Sequence, residues 1–121
     1  MAASDEFPRG MWLMGQVVEG VQCVVTFPSL PGIAWVLTDI MADAVAYPTV
    51  STHQHIVAAN GSVPIVGVIT FNAQADAGVS KDSWSWTGQV FYTVNQPVQV
   101  SFDAVCPPGC EQHLNCHAYP I

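Results

Sequence analysis

The chain predicts an all-β protein, an antiparallel β-sandwich of jelly-roll type with about eight strands. Three observations lead there. Val98, Val100, Phe102 and Ala104 alternate with Gln99, Ser101 and Asp103, the period of two that belongs to a strand with one buried and one wetted face. Apolar runs of similar length recur at spacings of roughly 8 to 15 residues, as in sandwiches and barrels. Proline, glycine and asparagine punctuate the runs, at PSLPG in 28–32, Asn60-Gly61 and Asn95-Gln96-Pro97.

In chain order, the segments 11–14 and 16–27 read as strands, with Val21, Cys23, Val25 and Phe27 on one face and Gln22 and Thr26 on the other. Gly15 and Gly20 permit a bend or bulge. PSLPG is a turn, because Pro31 presets φ at one central position and Gly32 takes a positive φ at the next. Residues 33–46 can be drawn as a helix, but their β-branched and aromatic content and the Pro48 that follows favour a long strand. A strand over 53–58 leads to Asn60-Gly61, the strongest hairpin signal in the chain. The return strand, 63–71, is almost wholly apolar, which predicts cover on both faces or a contact between subunits. A polar loop is expected over 72–83, a strand over 84–94, and then a terminal hairpin whose tip is Cys106-Pro107-Pro108-Gly109-Cys110. Residues 1–10 form a polar N-terminal arm before a single domain over 11–121, a length that buries roughly two thirds of the unfolded surface.

Composition excludes several functions. Half of the residues are hydrophobic and 9% are charged, well under the roughly 25% of ordinary soluble domains. Such a surface suits a protein that packs against copies of itself or a larger assembly. Arg9 and Lys81 face nine carboxylates, so neither a phosphate backbone nor an anionic lipid surface is neutralised. Nucleic acid and membrane are not expected partners. The longest apolar run is broken by Asp39 and Asp43, and the N-terminus has neither the basic nor the apolar region of a signal peptide.

The order of features resembles that of small jelly-roll proteins among phage and prophage structural genes. A PG turn precedes Val36-Leu37-Thr38-Asp39-Ile40, Asn60-Gly61 follows, then Val94-Asn95-Gln96-Pro97-Val98-Gln99-Val100-Ser101-Phe102, and Leu114-Asn115-Cys116-His117-Ala118-Tyr119 closes the chain. The likeness spans most of the sequence after Val21. It departs in the cysteines and in Ala118, where glycine is more usual. The resemblance implies a non-catalytic role on the virion surface, capsid decoration or head or tail attachment, with a capsid or tail protein as partner and a homo-oligomer, a trimer by preference, as assembly.

Cys106 and Cys110 bracket a three-residue loop and are expected to pair across it, and Cys23 and Cys116, on inward faces of terminal strands that neighbour each other in jelly rolls, are expected to form the second bridge. Buried free thiols are the alternative. A zinc set of Cys106, Cys110, His113, Cys116 and His117 has suitable residue types, but its spacing matches no common module and alternation splits Cys116 from His117.

His53 and His55 share a strand face and could start a metal site, although no third ligand is identifiable. Trp84 and Trp86 also share a face. With Asp82, Gln89 or Asn95 they would suit a sugar ring, the lectin-like reading, with a glycan as partner and an extracellular location as the alternative. No nucleophile elbow and no phosphate loop is present, and Asp39, Asp43, Asp76, Asp82, Asp103 and Glu111 show no paired motif. Neither catalysis nor a cofactor is therefore expected, and a small cupin-like metal enzyme built on His53 and His55 stands only as a further alternative.

Overall fold

Eight antiparallel strands carry the fold in the computed structural model, which describes residues 10–47, 50–59, 61, 64–71 and 79–121. They are β1 (Met11–Val18), β2 (Val24–Thr26), β3 (Trp35–Ala46), β4 (Thr52–Ala58), β5 (Ile65–Phe71), β6 (Ser80–Tyr92), β7 (Gln99–Phe102) and β8 (Cys110–Pro120). One sheet has the order β1-β8-β3-β6 and the other β2-β7-β4-β5. The chain changes sheet at every connection except β4 to β5, which is the jelly-roll winding. No helix of the described residues is long and apolar enough to cross a membrane.

Most expected elements are present, with corrections in their bounds and where partners are chosen: the strand expected over 16–27 is split, its first part continuing β1 through Gly15 and its last part forming β2, with Val21 exposed in the connection. Residues 35–46 are strand, not helix. The PSLPG turn closes with Ile33 N donating to Leu30 O at 3.1 Å, and Gly32 has φ 72°. β4 and β5 pair antiparallel, Ala58 opposite Ile65, while Asn60 between them lies outside the described residues. Strand β6 begins at Ser80, inside the segment expected to be loop; residues 72–78 of that segment lie outside the described residues.

The terminal hairpin is not formed. β7 pairs with β2 and β4, whereas β8 pairs with β1 and β3 in the opposite sheet. Residues 103–109 are the connection between sheets. On β5, Ile65, Gly67, Ile69 and Phe71 point inward while Val66 and Val68 are exposed, so within one chain this apolar strand is covered on one face only.

The core is filled from both sheets by alternate residues, among them Leu37, Ile40, Ile56, Ile69, Phe102 and Leu114. Small and large side chains are interleaved. Ala42 sits between Trp84 and Leu114, and Ala44 lies beside Gln112. Gln112 Nε2 donates to Gln54 Oε1 of the opposite sheet at 2.5 Å, the polar tie across an otherwise apolar interior. At the β5/β6 side Trp84 lies over Gly67, where a Cβ would stand 2.2 Å from Trp84 Cδ2. Glycine is required there because the ring occupies the side-chain space.

Gly67→Ala should therefore cost about 1–3 kcal/mol by overpacking, read as a lower urea midpoint. Adding Trp84→Leu should recover part of that loss, and an unchanged midpoint in the single variant would contradict the packing.

Candidate binding face

The outer face of β1-β8-β3-β6 is built in rows by strand register. Trp12 stands opposite His117, His117 opposite Asp39, and Asp39 opposite Thr87. The next row is Met14, Asn115, Met41 and Ser85, and the one after it Gln16, His113, Asp43 and Ser83. Val18, Glu111, Val45 and Lys81 follow. Alternation on β8 is strict, so Cys110, Gln112, Leu114, Cys116 and Ala118 face the core while the residues between them face out. Large apolar side chains of this face are exposed, among them Trp12 at 51%, Met14 at 80% and Met41 at 52%.

At one end lies an ionic cluster. Asp43 Oδ1 takes His113 Nδ1, and Glu111 Oε1 takes His113 Nε2 at 2.8 Å and also accepts from Gln16 Nε2 at 2.7 Å. A ring with carboxylates at both nitrogens is best satisfied as imidazolium, which donates from both. Partial burial works against that charge, but the bonds to Asp43 and Glu111 outweigh it and hold the His113 pKa above the ordinary 6.5. The bond to His113 lowers the Glu111 carboxyl from its ordinary 4.5.

The second cluster grows from a break in register. Between Leu37 and Asp39 strand β3 carries one more residue than β8, a β-bulge at Thr38. Inward parity therefore runs Trp35, Leu37, then Ile40, Ala42, Ala44 and Ala46, and Thr38 and Asp39 are both half-buried toward the outer face. Thr38 Oγ1 donates to Asp39 Oδ2 at 2.7 Å and lies 2.6 Å from His117 Nδ1. Thr87 Oγ1 donates to Asp39 Oδ1 at 3.2 Å, and the Trp12 ring lies 5.0 Å from the His117 ring at 47°. The Thr38 hydroxyl, the Asp39 carboxylate and the His117 ring thus form one hydrogen-bonded network. The network ties the side chains at the bulge to strands β6 and β8. Between the clusters Asn115 Oδ1 is buried with no hydrogen-bond partner among the described residues.

The residues singled out in the sequence fall elsewhere. Trp84 and Trp86 share a face, and it is the inner one: both pack against the core, so they make no exposed platform for a sugar. Asp82 is tied to Thr70 N at 3.3 Å at the start of β6, and Asn95 lies in the turn beyond its other end, so these groups do not converge. Gln89 is exposed. His53 and His55 share the outer face of the second sheet, but His53 Nδ1 faces Thr70 Oγ1 at 3.0 Å and His55 Nδ1 faces Asp103 at 3.5 Å. Among the described residues no group of three or more His, Cys, Asp or Glu is arranged to hold a metal. The zinc set is divided by the sheet, with His113 and His117 outside and the cysteines inside.

Both expected disulfides are absent, and Cys23, Cys106, Cys110 and Cys116 are buried free thiols. Cys106 and Cys110 do not face each other across a hairpin because no hairpin is there. Cys106 is held to the turn after β1 by Gly20 N to Cys106 O and Cys106 N to Val21 O, both 2.9 Å, while Cys110 opens β8 opposite Ala46 and receives Gln54 Nε2. Cys23 lies on the β2 side of the core and Cys116 on β8 in the facing sheet. Burial raises the thiols, Cys23 and Cys106 to about 11 and Cys116 to about 12.

Fold and face together define a jelly-roll sandwich with an apolar, carboxylate-bearing outer sheet face. No family model, curated protein or solved structure matches the chain. The His113 and His117 clusters were not found by sequence reasoning, although a signal existed. Asp39 and Asp43 are four apart, as are His113 and His117, and alternate residues of neighbouring strands meet on one face.

Two outcomes follow. Without reductant, the native protein at neutral pH should react slowly with a thiol reagent, and the denatured protein should release four thiols per chain; two or fewer would indicate bridges. The His113 contribution to stability is full below pH 6.5 and lost as pH rises through its raised value, while that of Glu111 is present above 4.5 and lost as pH falls through its lowered value. The difference in Tm between wild type and His113→Gln should be largest between these limits and shrink toward pH 8, whereas one that grows toward pH 8 would contradict the cluster.

Proposed function

We propose that the protein is a non-enzymatic structural and interaction module of the virion surface, of the capsid decoration or head or tail attachment kind, assembling as a homo-oligomer, with a trimer favoured. The observation that carries this reading is that both outer sheet faces expose large apolar side chains: Trp12, Met14 and Met41 on one, and Val24, Val66 and Val68 on the other. Large exposed apolar side chains grouped on a sheet face are the surface that contact sites use. The likeness to phage structural jelly rolls, whose fold class this chain shares, supplies the virion setting.

The two faces differ in charge, and that divides the work between them. Each copy carries a net charge of −7, so copies repel unless the surface they bury is nearly free of carboxylates. The outer face of β2-β7-β4-β5 meets that condition. Its rows run Val24, Ser101, Val57, Val66 and Thr26, Gln99, with His53 and His55 as its histidines and Asp103 at the margin. This is the copy-to-copy face. The face bearing Asp39, Asp43 and Glu111 is left for the shell protein.

Equilibrium sedimentation at micromolar concentration should give a multiple of the 12.9 kDa chain mass. Val66→Lys with Val68→Lys should reduce it to a single chain, since both side chains are solvent-facing in one copy. A wild-type protein that sediments as one chain would overturn the assembly reading.

A further inference from the structure

We propose that the shallow groove over Asn115, on the outer face of β1-β8-β3-β6, receives an arginine side chain of the shell partner. The proposal rests on reading this face as the one turned toward that partner. The groove is lined by Met14, Gln16, Met41, Asp43, His113 and Asn115.

Its polar capacity is almost entirely on the acceptor side. Asn115 Oδ1 is buried without a partner among the described residues, and Asp43 in the lining and Glu111 one row beyond it each meet His113 through one carboxylate oxygen, leaving a second. Most donors present are already committed: both nitrogens of His113 face carboxylates and Gln16 Nε2 donates to Glu111, which leaves the Asn115 amide nitrogen as the groove's remaining side-chain donor. A group that enters must bring donors, and beside two carboxylates a positive charge is favoured.

Among the described residues no lysine or arginine lines the groove. The chain's basic residues are Arg9, in the N-terminal arm outside the described residues, and Lys81, one row beyond Asp43 on β6. Charge complementarity with a chain of net −7 therefore points to a basic partner. The walls choose between its cations. Met14 and Met41 flank Asn115 on either side, presenting thioethers to an aliphatic stem, and Trp12 stands one row away on β1. A guanidinium is planar, weakly hydrated and carries five donors in a fork, so it can serve several acceptors at once and tolerate apolar walls, whereas an ammonium is strongly hydrated.

The carboxylates that would hold the guanidinium are shared with His113, so binding is linked to pH. The titratable groups facing His113 are Asp43 from β3 and Glu111 from β8; β1 supplies Gln16 and Met14, and the β6 residue of that row is Ser83. Protonated, the imidazolium already compensates both carboxylates. Neutral, it leaves them to the incoming cation.

The test uses the full chain labelled at methionine methyl carbons, titrated to millimolar concentration with acetylated Leu-Arg-Leu amide and with its lysine and citrulline counterparts. The arginine peptide should move the Met14 and Met41 methyl signals and leave that of Met11, which packs against the core, in place. The citrulline peptide should move none of them, the lysine peptide should bind several-fold more weakly, and Asp43→Asn should weaken the arginine peptide about tenfold. Binding should tighten as pH rises from 5 to 8. Met14→Ser, at an exposed position that leaves the fold intact, should also weaken it. Unmoved Met14 and Met41 signals, or equal effects of arginine and citrulline, would overturn the proposal. The sedimentation measurement is read separately, so an oligomer that ignores the peptide sinks this inference alone, and a single chain that binds it sinks the assembly reading alone.

Discussion

The strict alternation of β8, held between β1 and β3, is the constraint from which the rest of the molecule follows. All eleven of its residues pair with β3 and residues 111–118 pair with β1 as well, so over that span no residue can turn over without breaking two ladders at once. Its inner set, Cys110, Gln112, Leu114, Cys116 and Ala118, lies under the second sheet. Its outer set, Glu111, His113, Asn115 and His117, becomes the spine of the outer face. A register slip of one residue would bury the histidines and expose the thiols.

The bulge at Thr38 is the local exception that makes the outer face polar where it matters. Without the extra residue, parity counted from Ala46 and Ile40 would carry Thr38 into the core and turn Leu37 outward. With it, Leu37 and Trp35 stay inside, and Thr38 and Asp39 stand together beside His117. The hydroxyl, the carboxylate and the imidazole then satisfy one another, which compensates for the paired backbone groups that a bulge gives up. On the inner face the Gln54–Gln112 pair is the polar tie between sheets, and the Tyr92 hydroxyl is buried there as well. The thiols there act as small apolar side chains, and their raised pKa values keep them protonated and unreactive at neutral pH.

Strand character was legible in particular stretches. The alternation of Val98 to Phe102, the Pro31-Gly32 turn and the long apolar run through Ile40 each stand where the pattern put them, because period two and turn chemistry are local properties. Trp84 and Trp86 were also read correctly as sharing a face. Which face was not legible, since large aromatic side chains serve a core and an exposed platform equally well, and only Gly67 beneath Trp84 settles the matter. The cysteines failed for a related reason. Their spacing around Pro107-Pro108-Gly109 fits a hairpin tip, but the strands on either side belong to different sheets. The His113 site was missed because Asp43 and His113 are 70 residues apart, and nothing local marks them as neighbours.

By itself, then, the sequence determined the all-β class, the approximate number of strands, and which residues of a strand travel together. It also determined the shortage of charge, which follows from composition alone. Only the tertiary structure decided which strands meet, which face of each is the inner one, and where one extra residue resets the parity. Those choices depend on contacts between segments far apart in the chain, whose energies no local pattern contains. They are also the choices that place Met14, Met41, Asp43, His113 and Asn115 around one groove.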